Sequence, residues 1–423
     1  MLSGLGTDVM VIPAAAPAGG SGDSRYVFRP GGDLFYLTGC VEPGAVLLLH
    51  GGEADHAVTL FVPPRDPEAE RWSGPRLGPE GTSDLLGIDH VLAASELPGR
   101  LSSALRSASK VHFRLGSDPV IDGVVGEALA FGRREGTRKG VGPRAVVDPG
   151  VILEPLRVRK DAGEMEALRR ASALTNAAFA EALPHATPGA REWEVQARLE
   201  QVFRASGALP AFGTIVATGA NACVLHHVAN RGVIRPGDLV LVDGGAELDL
   251  YAGDVSRTVP ASGRFTDPQR AAYEVVLSAR SAALAAALPG RPVSDIHDAA
   301  VAELTAGLVG LGALEGSAED LIAEEAYKAY YPHNTSHWIG LEVHDPGVYA
   351  VDGIPLTLEA GMVLTVEPGL YFPPDLPGVP EDLAGMGIRL EDDVAIGPDG
   401  PRVLGGSLAL EPDDVEYLMA HGR

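Results

Sequence analysis

The sequence predicts an α+β chain in two parts: a smaller N-terminal α/β domain over residues 1–154 and a larger C-terminal domain over 155–423 built on an antiparallel sheet. Three observations predict it. The chain has 423 residues, too many for one ordinary domain and ample for a sizeable core. Up to residue 154, short apolar runs alternate with helix-like pieces, as in a small α/β unit with a mixed sheet. Beyond it helices and strands come in separate blocks, with strands joined by tight turns, which is the α+β pattern with antiparallel pairing.

In chain order, "VMVIP" reads as a first strand, followed by strands at "AVLLLH" and "AVTLFVPP". "SELPGRLSSALRSA" reads as a helix and "KVHFRLG" as a strand. The stretch "VVDPGVILEPLRVRKDAGEMEALRRA" marks the boundary: an extended piece ends, and a charged amphipathic helix starts near Asp161 with the acidic first turn that a helix N-terminus favours. Helices are expected at about 161–184, 191–206, 267–288 and 294–310. Strands are expected in "DLVLVDGGAELDLYAGDVSRTVP", "MVLTVEPGLY" and "GIRLEDDVAIG". There is no low-complexity tract and no short-period repeat.

Charged residues at 21% and apolar ones at 45% describe a soluble globular protein. A formal charge of −24 argues against nucleic acid and anionic membranes as partners, since both need clustered Lys and Arg. No apolar run approaches the ~20 residues that span a bilayer. The N-terminus lacks a positive leader segment and carries Asp8, so no secretory signal is expected. Two cysteines, Cys40 and Cys223, are too few for a disulfide framework and are expected as small apolar residues in a reducing cytoplasm.

Three of the 12 histidines, His333, His337 and His344, crowd into "HNTSHWIGLEVHD". Either this is a hydrogen-bonded corner, or it needs nitrogen ligands and proton carriers. Asp243 follows the apolar run "LVLV" and precedes two glycines, so alone it reads as a turn residue capping its own backbone. Asp254 lies in "YAGDVSRT". If the two stretches pair as a hairpin, both aspartates can share a face, and like charges on an apolar strand pair are costly without a cation between them. Glu367 ends "MVLTV" before Pro368, which cannot donate to a ladder. Glu391 shares a strand face with Arg389, either as a surface ion pair worth little or as a ligand oriented by the guanidinium. His226 and His227 add further imidazoles in "CVLHHVAN", although His227 could equally be a loop filler.

Four carboxylates and one imidazole on separate strand ends suit hard divalent cations, with the histidine shifting preference toward manganese, cobalt, iron or zinc. Five ligands exceed the three of a typical catalytic zinc. They fit two metals roughly 3.5–4 Å apart bridged by carboxylates and a water. Such ions acidify a water and polarise a carbonyl, with spare histidines as proton donors and stabilisers. There is no H-E-x-x-H, no G-x-S-x-G and no P-loop.

As a set and in order, "VDGGAELDLYAGDVSRTVP", "HNTSHWIGLEVHD", "MVLTVEPGLY" and "GIRLEDD" resemble the motif series of the pita-bread metallopeptidases, which include aminopeptidase P, prolidase and methionine aminopeptidase. The resemblance covers the chain from about 155 onward and implies a pita-bread catalytic domain. It implies two metal ions, manganese first with cobalt or zinc as alternatives, held by Asp243, Asp254, His337, Glu367 and Glu391. Glu367 would be the general base. His344 would steady the scissile carbonyl, His226 would stand beside the leaving proline nitrogen, and His333 would line the proline pocket. Arg389 would hold the metal carboxylates, and Tyr371 would flank the site.

The N-terminal stretches "SRYVFRPGGDLFYLTGCVEPGAVLLL" and "FVPPRDPEAERWSGPRLGPEG" resemble the N-terminal domain of aminopeptidase P. Methionine aminopeptidase has no such domain, and that of prolidase is less similar. The resemblance points to Trp72 as a substrate-side residue reaching a neighbouring subunit, hence to a homodimer or homotetramer; the alternative for Trp72 is a domain-core aromatic. It implies a cytoplasmic enzyme releasing the first residue from peptides with N-terminal Xaa-Pro. The alternatives are a prolidase acting on Xaa-Pro dipeptides, a pita-bread module without catalysis, and a metal-free amidinohydrolase on the same fold. The chain departs from the family at Asn334, where Gly is usual, at Ser256, where Thr is usual, and at His227, where an aromatic is common. The family's long N-terminal helix is expected to be short or absent.

Overall fold

Strands β1 (Val9–Pro13), β2 (Val46–His50) and β3 (Val58–Val62) are apolar at nearly every position, as strands covered on both faces must be. They form the centre of a six-stranded mixed sheet in the order β4-β3-β2-β1-β5-β6, completed by β4 (Val91–Ala93), β5 (Val111–His112) and β6 (Val146–Val147). β1–β2 and β2–β3 pair antiparallel, the rest parallel. Alternation sends Val9, Val11, Leu48 and Phe61 to one core with the helices Leu97–Ser107 and Pro119–Phe131. Met10, Ile12, Leu47 and Leu60 face the other core with Leu34. The computed structural model that carries this sheet describes residues 5–16, 27–52, 57–136, 138 and 141–422. Residues 1–4, on which the expectation of a short or absent N-terminal helix falls, and the opening "SRY" of the first quoted N-terminal stretch lie outside the described residues.

The chain divides into the units Met1–Glu154 and Pro155–Arg423. In the first, the expected strand over "KVHFRLG" shrinks to Val111–His112, because the chain turns at once, with Ser117 N donating to Arg114 O. Helices Gly32–Thr38, Pro67–Ser73, Gly78–Leu86 and Pro119–Phe131 went unpredicted. The last carries Gly123 and Gly126 in its interior, which weakens its propensity signal.

In the second unit, the helix Ala162–Ala182 opens on Asp161, whose carboxylate accepts from the backbone of Gly163 and Glu164 while Glu164 reaches back in a capping box. The helices Glu192–Ala205, Asp267–Ala286, Ser294–Gly310 and Pro412–His421 follow. Strands β7 (Leu209–Pro210), β8 (Ile215–Thr218), β9 (Leu239–Gly244), β10 (Ala246–Leu248), β11 (Tyr251–Ala252) and β12 (Val255–Pro260) form the antiparallel sheets β12-β9-β8 and β11-β10-β7. A short hairpin, β13 (Ala350–Val351) and β14 (Ile354–Pro355), comes next. Then β15 (Val363–Val366), β16 (Gly369–Phe372), β17 (Met386–Arg389), β18 (Asp392–Gly397) and β19 (Gly400–Val403) make a β15-β18-β19 sheet and a β16-β17 pair. All these pairs are antiparallel. A bridge between Ser256 and Glu391 ties β12 to the start of β18. The site is built at these strand ends.

Candidate metal centre

Asp243 is the penultimate residue of the buried strand β9, and its register partner on β12 is Ser256. The ladder runs on to Gly244 and Val255 and stops beyond them: a Cβ on Gly245 would lie 1.6 Å from Gly253 O, so only glycine lets the two chains touch there. This contact seats Asp254, just before β12, next to Asp243. The Asp254 amide donates to Asp393 Oδ2 at 3.1 Å. Glu367 follows β15, and its amide donates to Thr335 O at 2.8 Å. Glu391 N donates to Ser256 O at 3.0 Å. The His337 backbone exchanges two hydrogen bonds with Thr365 on β15.

The five side chains converge. His337 Nε2 lies 3.4 Å from Asp254 Oδ2, 3.7 Å from Glu367 Oε1 and 4.0 Å from Glu391 Oε1. Ligand atoms of Asp254, His337 and Glu391 all lie within 4.8 Å of one another. Arg389 Nη2 donates to Asp243 Oδ2 at 2.6 Å, its Nε to Ser256 Oγ at 2.9 Å and its Nη1 to the Tyr371 hydroxyl at 2.9 Å. Ser256 Oγ in turn donates to Glu391 Oε2 at 2.8 Å. Arg389 therefore grips Asp243 directly and Glu391 through the serine hydroxyl. The surface ion pair with Glu391 is not what forms, because both side chains are buried in the strand junction.

Burial first, and then the charge of Asp243, pushes the Glu391 carboxyl up to about 7. Burial and the Glu391 charge drive Asp254 and Glu367 upward as well. Left alone, such a cluster takes up protons; a divalent cation reverses the balance. The fit to a cation can be tested on the donors themselves. Asp243 Oδ1 and Asp254 Oδ1 are buried without a hydrogen-bond partner, a costly state for charged oxygens unless an ion takes them. His337 Nδ1 faces Trp338 O at 3.2 Å, which places the proton there and leaves the Nε2 lone pair for a metal. The donor set, four carboxylates and one imidazole, suits divalent ions.

A cavity of about 800 Å³ opens on these five residues. His226, His333, His344 and Arg389 line it too. His333 Nε2 shares a 2.8 Å hydrogen bond with the Tyr371 hydroxyl. Burial drives the His333 imidazole down to about 3, so it stays neutral. The His344 ring sits edge-on to His337 with centroids 4.3 Å apart, and burial lowers its basicity. His226 is exposed on the segment between β8 and β9. Tyr371 is buried behind the wall, with Arg389 and His333 as its polar partners. Trp72, on the helix Pro67–Ser73, is 87% exposed, so the domain-core reading of it is wrong: that short helix has no buried residue.

Sequence reasoning missed several residues that hold the site. Glu192, fully buried, accepts from Thr218 N, Asn221 Nδ2, Gly232 N and His227 Nε2 at 2.6–3.0 Å. It anchors the segment that carries His226, and it turns His227 away from the role of a further site imidazole. Asp393 accepts from Ser172 Oγ at 2.5 Å as well as from the Asp254 amide. Asp392 pairs with Arg257 at 2.7 Å and with Arg280 at 2.5 Å. The signal was the acidic run Glu391, Asp392 and Asp393 inside an otherwise apolar strand, since three buried carboxylates in a row demand three sets of partners.

Residues 166–398 match metallopeptidase family M24, and residues 1–112 match the aminopeptidase P N-terminal domain. An Xaa-Pro aminopeptidase of Escherichia coli is 39% identical over 415 residues, covering 98% of this chain and 94% of that protein. Xaa-Pro aminopeptidase 3 of Homo sapiens is 33% identical over 431 residues, covering 98% of this chain and 82% of its own length. Among solved structures, the aminopeptidase PepP of Pseudomonas aeruginosa superposes with a TM-score of 0.92 at 40% identity, over 98% of this chain and 94% of that one. Zinc-substituted Escherichia coli aminopeptidase P in complex with product gives 0.92 at 38%, over 99% and 95%.

Proposed function

The chain belongs to metallopeptidase family M24, and from that premise we propose that it is an Xaa-Pro aminopeptidase, a hydrolase that releases the first residue of peptides whose second residue is proline. The observation that carries this reading is the convergence of Asp243, Asp254, His337, Glu367 and Glu391 on one cavity, with two orphaned aspartate oxygens. These five residues would hold divalent ions, which would supply Lewis-acid activation of a water and of the scissile carbonyl. We assign manganese to the site, two ions per chain.

The remaining work falls to the chain's own groups. Glu367, its carboxyl lifted by burial, receives the proton of the attacking water. His344, neutral and fixed against His337, donates to the carbonyl oxygen as charge develops there. His226 stands at the side from which the proline nitrogen leaves, and His333 with Tyr371 shapes the proline pocket. That shape matters because the proline imide has no N–H and a fixed φ, so recognition must come from fit.

Arg389 is the only Arg or Lys among the described residues lining the cavity, and all three of its donor positions are engaged inside the protein. Among the described residues no free cation lines the cavity to grip a dipeptide's carboxylate, which favours longer peptides over the dipeptides of a prolidase. Retention of all five ligands disfavours a non-catalytic module. An exposed Trp72, with Leu85 66% exposed nearby in sequence, supports a homo-oligomer, and two free cysteines agree with a cytoplasmic location.

The test is to incubate the manganese-loaded protein with Ala-Pro and with Ala-Pro-Ala, with and without a chelator. Faster, chelator-sensitive release of alanine from the tripeptide is expected. Cleavage of the dipeptide alone would make it a prolidase.

A further inference from the structure

His297 plays no part in the reading above, yet it lines the same cavity. It is the fourth residue of the helix Ser294–Gly310, whose first residue, Ser294, also faces the cavity. Its ring stacks on Tyr331, with centroids 5.9 Å apart and planes at 30°. Its Nδ1 lies 2.9 Å from Thr335 Oγ1, and the Tyr331 hydroxyl lies 2.8 Å from that same oxygen. Tyr331 and Thr335 are both fully buried.

The hydrogen bonds fix where the protons are. Three polar atoms, Tyr331 Oη, Thr335 Oγ1 and His297 Nδ1, form a row, and the two hydroxyls have no other side-chain partner among the described residues. If Nδ1 carried the imidazole proton, one of the two buried hydroxyl protons would have no acceptor, and a buried donor left unpaired is costly. One arrangement leaves none stranded: Tyr331 donates to Thr335, and Thr335 donates to a bare Nδ1. Burial lowers the basicity of His297, so the ring is neutral and its single proton sits on Nε2. Nε2 has no partner among the described residues and is not among the buried unpaired atoms, so it opens to the cavity.

We propose that His297 is a substrate-binding residue whose Nε2–H donates to an acceptor oxygen of the bound peptide. The row that sets this donor also locks its position. Thr335 O takes the Glu367 amide at 2.8 Å, and Tyr331 meets His333 edge-on with centroids 4.7 Å apart. The donor is thus held at a fixed place relative to both the general base and the proline pocket. A peptide seated in the cavity meets it with a backbone carbonyl or with its terminal carboxylate. A rigid wall donor of this kind selects peptide register, because a chain shifted by one residue presents no oxygen there. This inference rests on the Xaa-Pro aminopeptidase reading and adds a specificity residue to it.

The experiment compares wild type, H297F and H297Q, each loaded with manganese, on Ala-Pro-Ala, on its C-terminal amide and on a longer Ala-Pro peptide. Phenylalanine keeps the stack on Tyr331 and removes the donor; glutamine restores an N–H near the Nε2 position. H297F is expected to raise KM about 10-fold with kcat within about two-fold of wild type, as for one lost hydrogen bond in binding. H297Q is expected to recover most of the loss. Metal content by elemental analysis should match wild type in both variants. If the KM effect persists on the amide, the acceptor is a backbone carbonyl; if it disappears there, the acceptor is the terminal carboxylate. Unchanged KM in H297F, or a fall in kcat at constant KM, would overturn the proposal while leaving the aminopeptidase reading intact. Absence of Ala-Pro-Ala turnover by wild type in the same assay would sink both.

Discussion

Arg389 shows how much one side chain can organise. Its three donor positions reach Asp243, Ser256 and Tyr371, and through them Glu391 and His333. Lysine carries the charge but not the planar fork, so R389K is expected to weaken manganese binding by about 10–100-fold while the protein stays folded. Calorimetric titration checks this; wild-type affinity would show that the carboxylates orient themselves. E367Q keeps the volume of the proposed general base and removes its proton acceptor. It is expected to abolish turnover with ions still bound, and near-normal rates would remove Glu367 from the mechanism. At this scale the sequence was informative where a residue's neighbours in the chain were odd: Asp243 after four apolar residues, Glu367 before proline, three histidines together. It was silent on His297 and Glu192, whose meaning lies with partners 38 and 26–40 positions away.

Two segments decide the site at the level of elements. The Gly245–Gly253 contact lets the aspartate-bearing strands touch, and any side chain at Gly245 would collide with backbone. G245A is expected to cost at least about 2 kcal/mol and to lower metal affinity, readable as a fall in denaturant midpoint at unchanged m-value. The second segment runs from Thr218 to Gly232 and hangs on Glu192. Burial alone would raise that carboxyl, but donors from Asn221, Thr218, Gly232 and His227 hold it below its ordinary range. A lowered acid contributes stability above its unfolded pKa and loses it as pH falls through the folded one. Hydrogen-exchange protection of Gly232 N–H should therefore hold at neutral pH and weaken below about pH 4. E192Q places an amide proton against an existing donor, so it should remove that protection at every pH and lower kcat through His226. Full protection in E192Q would show that the segment needs no anchor. Long periodic helices and the two strands of the aspartate hairpin were readable in advance. The glycine-bearing helix Pro119–Phe131 and the two-residue strands β7, β13 and β14 were not, because their order comes from tertiary packing rather than from local pattern.

Across the whole molecule, the buried acids make stability depend on both pH and metal. Glu391 and Asp393 are pushed up to about 7, chiefly by burial. An acid whose folded pKa is raised binds more protons when folded, so its contribution is present at low pH and is lost as pH rises through the folded value. Metal-stripped protein should therefore lose melting temperature between about pH 5 and pH 8, and saturating manganese should flatten or reverse that slope. A flat profile in the stripped protein would mean that the acids are not strained together. The two-domain α+β organisation was legible from length and from the change in element pattern near residue 154. What the sequence could not supply is the close approach of five side chains drawn from positions 243 to 391, which only the folded strand ends create.

That convergence is most directly tested by titrating chelator-stripped wild type and D254N with manganese in a calorimeter. The account predicts two saturable equivalents per chain for wild type, and loss or severe weakening of binding in D254N. Absence of saturable binding to wild type, or an isotherm unchanged in D254N, would contradict it.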